Sequence, residues 1–236
     1  MKKIIIISSL FFIISCSNTE NEIEQAEKLI KDSYPNVSIE NIRKVNENFF
    51  EVIIQGEIFY LSSDNEYLIS GNLINLKTKE NITEASRKER RLNVLENLSS
   101  ENMVIYKPNK TNHILTIFSD TSCPYCQKFH DEIGQLVENN IEVRYVLFPR
   151  FGQDSDTYSQ MISIWCSEDR NQALDNAFSD VTIATNTQCE NPINENLGLA
   201  QRLSVAGTPT MFTEDGTVIP GYQPASQIVD FLNNNN

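Results

Sequence analysis

The chain opens on an apolar run, Ile4 to Ile14, broken only by Ser8 and Ser9, behind Lys2 and Lys3. The run is shorter than the roughly 20 apolar residues that cross a bilayer, and small Ser15 and Cys16 follow it. That is the layout of an export signal. Residues 17–21 are polar and predict a short flexible tether. Ile23, Ala26 and Ile30 then recur at helical spacing and predict a short helix over 22–31. Five β-rich runs follow: "VSIENIRKV", "FFEVIIQ", "EIFYLS", "EYLIS" and "NLINL". Turn signals stand between them at Asn46–Asn48, Gly56, Ser62–Asn65 and Ser70-Gly71. This predicts a small antiparallel meander ending near residue 78. It holds no Cys and no His, which suits binding or assembly better than chemistry.

Residues 82–98 predict a helix, with Thr83 as N-cap and Glu84 in the first turn. Ile82, Leu92, Leu95 and Leu98 are its main apolar residues. Arg87, Lys88, Arg90 and Arg91 predict a solvated face. A mostly polar helix between segments of different character predicts a linker. From His113 the pattern becomes α/β. "HILTIF" is a strand-length apolar run, and "SDTSCPYC" leads into a helix carrying Cys126, Phe129, Ile133, Leu136 and Val137. "IEVRYVLFP" is a further strand, and 155–203 is mainly helical with a looser stretch near 181–195. "TPTMFTEDGTVIPGY" is a hairpin turning at Asp215-Gly216, and the chain closes on a helix. This order is thioredoxin-like. The expected domains are a leader over 1–16, an N-terminal domain over 17–80, a linker helix over 81–103 and an α/β domain over 104–236.

Charge removes some function classes. The formal net charge is -13, and loss of Lys2 and Lys3 with the leader would make it -15. Such a chain should not hold nucleic acid or anionic lipid by charge. Ile13-Ile14-Ser15-Cys16 resembles a bacterial lipobox, with Ile13 where Leu is usual. That resemblance implies lipid on Cys16 as the first mature residue, against ordinary cleavage nearby or an uncleaved anchor. Without Cys16 four cysteines remain, Cys123, Cys126, Cys166 and Cys189. An even number in an exported chain suggests two pairs.

The Cys123-Pro124-Tyr125-Cys126 motif carries the chemistry. Cys123 stands where strand gives way to helix, so backbone N–H groups and the helix dipole favour its thiolate. Pro124 fits the first helical turn. Cys126 lies on the core face, which makes Cys123 the exposed attacker and Cys126 the shielded resolving thiol. Structural zinc needs four ligands and no second C-x-x-C exists, so no metal and no other cofactor is expected. Gln127 after the second Cys excludes haem attachment. His130 reads as a surface histidine. Thr208-Pro209, within "VAGTPT", is expected to be cis and to present the Thr208 backbone to an extended client. Cys166 and Cys189 bracket the helical insert and read as a structural disulfide, against a second redox relay. Trp165 reads as core.

These segments together resemble the DsbC/DsbG family of periplasmic thiol–disulfide isomerases. "YLISGNLINLKTKENITE" resembles the end of the family's N-terminal domain and the start of its linker helix. "FSDTSCPYC", "IWCSEDRNQAL", "VAGTPT" and "GTVIPGYQP" resemble its catalytic domain in order and spacing. The Cys166–Cys189 pair resembles the DsbC branch, and Pro124-Tyr125 the DsbG type. The resemblance implies an α+β, cystatin-like dimerisation domain, a linker helix and a thioredoxin-like domain with a helical insertion. It implies Cys123 and Cys126 as the reactive dithiol, with Pro124, Tyr125, Thr208 and Pro209 at the client. It implies a homodimer, binding of misfolded exported proteins and a DsbD-type membrane reductase as electron donor. Ser17 after Cys16, where Asp would suggest inner-membrane retention, favours the outer membrane. Competing readings are a DsbA-like oxidase, a reductase of sulfenylated cysteines, and a chaperone lipoprotein with incidental thiols.

Overall fold

The computed structural model describes residues 14–234, with side chains from Thr19 onward. Residues 1–13 of the expected leader and the side chain of Cys16, the expected lipid site, lie outside the described residues. The chain divides into two compact units between Ala85 and Ser86.

In the first unit, helix α1 spans Ile14–Ser33. It runs straight through residues 17–21, where a flexible tether was expected. Glutamates are adequate helix formers, and side-chain pairs four apart reinforce the helix, Asn21 with Gln25 and Glu27 with Lys31. Ala26 and Ile30 are its buried residues, packed on Phe50, Val52 and Leu61. Strands β1 (Ile39–Asn46), β2 (Phe49–Ile54), β3 (Glu57–Ser62) and β4 (Leu68–Ser70) form an antiparallel sheet in chain order. "NLINL" is not a fifth strand. Only an isolated bridge, Ile74 to Asn81, forms there. The Asn75 side chain accepts the N–H groups of Lys77 and Thr78 and turns the chain instead.

Helix α2 spans Ile82–Glu96. Asn81, not Thr83, supplies its cap, accepting the Glu84 N–H at 3.0 Å. Thr83 is fully buried; its hydroxyl meets the Tyr60 hydroxyl at 2.7 Å and accepts the Leu73 N–H. The expected solvated face is also partly engaged. Lys88 pairs with Asp215, and the Arg91 guanidinium donates to the Gly216 carbonyl, at the turn of the second unit's hairpin.

The second unit is built on a five-stranded sheet of β5 (Val104–Tyr106), β6 (His113–Ser119), β7 (Ile141–Leu147), β8 (Thr210–Thr213) and β9 (Val218–Pro220). Their order is β5-β7-β6-β8-β9, with β6 and β7 parallel. β5 was not legible as a strand; three residues are too few to show a period. Central β6 is buried on both faces, so it reads as a continuous apolar run. Leu115 and Ile117 pack toward one layer, with Phe129, Ile133, Leu136 and Ile228. Phe118 packs toward the other, with Leu199, Ala200 and residues of α2.

The helix after the C-x-x-C is broken in two, α3 (Pro124–His130) and α4 (Ile133–Glu138). Neither is long enough to stand alone. Burial of Phe129, Ile133 and Leu136 holds them, at about 1.5–3 kcal/mol each. The break frees Glu132. Its carboxylate accepts the Tyr222 hydroxyl at 2.5 Å and the Ala225 N–H at 2.8 Å, so it caps α8 (Ala225–Asn234). The insert consists of α5 (Asp156–Trp165), α6 (Arg170–Phe178) and α7 (Ile193–Arg202).

Candidate active site

Cys123 is the N-cap residue of α3, in extended conformation, and Pro124 occupies the first helical turn. The preceding loop is fixed by Asp120, which is fully buried. Its carboxylate accepts the Ser122 N–H and hydroxyl at 2.8 and 2.7 Å, and the Arg150 N–H at 2.9 Å. Asp120 thus ties the turn before Cys123 to the segment after β7. The sequence reading missed it, although an Asp two residues before a Ser at a strand-to-helix turn is a local signal.

The two thiols sit in unequal surroundings. Burial acts to raise the Cys123 thiol, but Thr208, the Cys126 thiol and the N–H groups of Cys126 and Tyr125 outweigh it and bring it below 9.0. Burial dominates at Cys126, which is 0 % exposed, and pushes it up to about 12. One sulfur is therefore poised to ionise and the other to stay protonated.

The expected loop stands beside Cys123. The Thr208–Pro209 bond is cis. The Thr208 carbonyl accepts the Cys123 thiol at 3.3 Å. Gly221 N–H donates to the Pro209 carbonyl, and the Thr210 hydroxyl to the Gly207 carbonyl, which fix the loop from both sides. This cover corrects one expectation. Cys123 is not an exposed thiol; only 2 % of it reaches solvent. Its neighbours Pro124 and Tyr125 are exposed, Tyr125 by 63 %, and form the rim.

Beneath α3 lies a second feature the sequence reading missed. His130, read as a surface residue, has a side chain only 9 % exposed. Its Nε2–H donates to Asp175 at 3.0 Å, and Nδ1 accepts the Tyr145 hydroxyl at 3.0 Å. The ring stacks on Phe178 at 4.5 Å, and the Tyr106 hydroxyl also donates to Asp175. Burial lowers its pKa below 6.5, against the pull of Asp175. The cause is α6, which covers α3 and accepts the Gln127 side-chain amide at the Phe178 carbonyl. Sequence spacing gives the face of a helix but not which neighbour covers it.

Cys166 and Cys189 are joined in a disulfide, with Cα atoms 5.7 Å apart. Trp165, 5 % exposed, donates its indole N–H to the Glu190 carbonyl under the Arg170 guanidinium. The insert is thus closed at its base. Among the described residues no group of three or more His, Cys, Asp or Glu side chains could hold a metal ion.

Comparison with known proteins gives the family and the fold. Residues 17–84 match a family model described as the disulfide bond isomerase protein N-terminal domain, and residues 100–236 match the thioredoxin-like domain. The thiol:disulfide interchange protein DsbC of Escherichia coli K12 is 32% identical over 77% of this chain and 75% of its own length. That of Dickeya dadantii is 36% identical over 77% and 74%. That of Pasteurella multocida is 29% identical over 98% and 99%. A crystal structure of a disulfide interchange protein from Neisseria gonorrhoeae aligns with TM-score 0.50 at 23% identity, over 58% of this chain and 98% of that one. With an isomerase-type N-terminal match followed in the chain by a thioredoxin-like one, and relatives 32% and 36% identical over about three quarters of their own length, the chain belongs to the DsbC family of thiol:disulfide interchange proteins.

Proposed function

We propose that Cys123 attacks non-native disulfides of exported proteins and that Cys126 resolves the adduct when the client cannot. The observation that carries this reading is the placement of Cys123 at the start of α3 against the Thr208 carbonyl, with Cys126 fully buried. A client segment pairing with the Thr208 backbone takes over its carbonyl. The Cys123 thiol then loses its acceptor and ionises more readily. Cys123 sulfur bonds to one client sulfur, and the other leaves as a thiolate. The freed client thiolate attacks elsewhere in the client, which is isomerisation, or Cys126 displaces the client, which is reduction. Exposed Pro124 and Tyr125 line the client's approach.

The domains of the proposal are the leader 1–16, the N-terminal domain 17–80, the linker 81–103 and the catalytic domain 104–236. The N-terminal domain makes a homodimer. Its match to the isomerase N-terminal model supports this, as do exposed Tyr67, Ile69, Ile74 and Leu76 on and beside edge strand β4. The compartment is the periplasm, with membrane attachment through acylated Cys16 and the outer membrane favoured by Ser17. A DsbD-type reductase keeps the dithiol reduced.

The test is reactivation of a scrambled, disulfide-bonded client protein. The wild type restores its activity, and Cys123→Ser abolishes the effect. Retained activity in Cys123→Ser rejects the assignment. Trapping the dithiol in cells by acid quench and alkylation separates the reduced pair of an isomerase from the oxidised pair of a disulfide donor.

A further inference from the structure

Two buried hydroxyls beside the thiols have no hydrogen-bond partner, Ser119 Oγ and Thr208 Oγ1. Buried polar groups are seldom left so, and each such case asks for a reason. Ser119 is 1 % exposed and is the last residue of β6. Side chains alternate along a strand, so Ser119 shares a face with Leu115 and Ile117. Those two pack in the cluster that holds Cys126 and Phe129, whereas Phe118 packs on the opposite side. The Ser119 hydroxyl therefore points into the layer of Cys126 and away from solvent. It also favours the Cys126 thiolate, against the burial that opposes it. Thr208 lies against both thiols and belongs to the client-binding loop, so it cannot be assigned to one step.

We propose that the Ser119 hydroxyl is the donor that meets the Cys126 sulfur as the mixed disulfide is resolved. The inference rests on Cys123 as the attacking thiol. In that step Cys126 loses its proton and its sulfur bonds to Cys123. The bond from Cys123 to the client breaks, and the client sulfur leaves with the electron pair and takes up one proton. The two cysteines are oxidised to a disulfide and the client is reduced to a thiol. Charge develops on Cys126 where burial disfavours it most, and a fixed donor there acts without moving solvent.

The probe is dithiobis(nitrobenzoic acid), mixed rapidly with the reduced full chain carrying Cys16→Ser. Attack by Cys123 releases one thionitrobenzoate, and resolution by Cys126 releases a second. In Ser119→Ala the second phase should slow roughly tenfold or more, as expected for loss of a hydrogen bond to a charged group. The first phase and the thermal stability should hold, since Ala removes an unpartnered hydroxyl from a buried site. Ser119→Thr keeps a hydroxyl and should restore the second phase. An unchanged second phase in Ser119→Ala overturns the proposal. So does equal slowing of both phases, or slowing in Ser119→Thr as well, because either marks a packing effect. A wild type that shows no first phase overturns the Cys123 assignment itself, and is seen before Ser119 is altered.

Discussion

Cys126 is the more strongly perturbed of the two thiols, and Cys123→Ser isolates it. Burial raises it from 9.0 to about 12. At ~1.36 kcal/mol for each tenfold change, the thiolate is disfavoured by ~4 kcal/mol. The Ser119 hydroxyl and the Asp120 N–H pull the other way. Desolvation of a sulfur with no exposed surface is larger, so it sets the outcome. Well below pH 9 the thiolate population is then ~1,000-fold smaller than that of an unperturbed thiol. The assay is iodoacetamide alkylation of reduced Cys123→Ser, in a Cys16→Ser background, followed by mass from about pH 7 to about pH 11. Cys166 and Cys189 are bonded to each other and stay silent. Restricted access lowers the whole rate curve without moving its inflection. The logarithm of the rate should therefore climb across the range without levelling. A plateau at or below about pH 9 would refute the argument that burial controls this thiol.

Three further outcomes follow from the same structure. Replacing Cys166 and Cys189 together by Ala opens a loop of sequence separation 23 and should cost about 3 kcal/mol in urea unfolding; a loss below about 1 kcal/mol would mean the insert is closed without it. His130 is held neutral, with its folded pKa below 6.5, so the unfolded chain binds the extra proton first. Stability from this site is present above pH 6.5 and is lost as pH falls toward the folded value, by at most ~1.4 kcal/mol per pH unit. A His130→Gln variant should lose that part of the slope, and an unchanged slope would sink the assignment. Glu132→Ala removes the carboxylate that caps α8 and should cost about 1 kcal/mol by denaturant titration. Because the Ala225 N–H lowers the Glu132 pKa, its contribution is lost only as pH falls below 4.5.

The sequence by itself determined the parts of this protein that depend on neighbours in the chain. A strand ending just before Cys123, Pro124 at a helix start and Asp215-Gly216 at a hairpin turn are each read within a few residues. So are the two-residue spacing of the thiols and the order of strand and helix, and these were enough to point to the thiol chemistry. The tertiary structure decided what depends on residues far apart. It covered Cys123 with the Thr208 carbonyl, 85 positions away in the chain. It buried His130 under α6, drew Glu132 out of its helix to cap α8, and gave Thr83 to Tyr60 rather than to its own helix. It also turned the Ser119 hydroxyl into the layer of Cys126. Periodicity tells which face a side chain takes. It does not tell what stands opposite, because packing over long chain separations sets burial, and burial sets how readily each of the two sulfurs ionises.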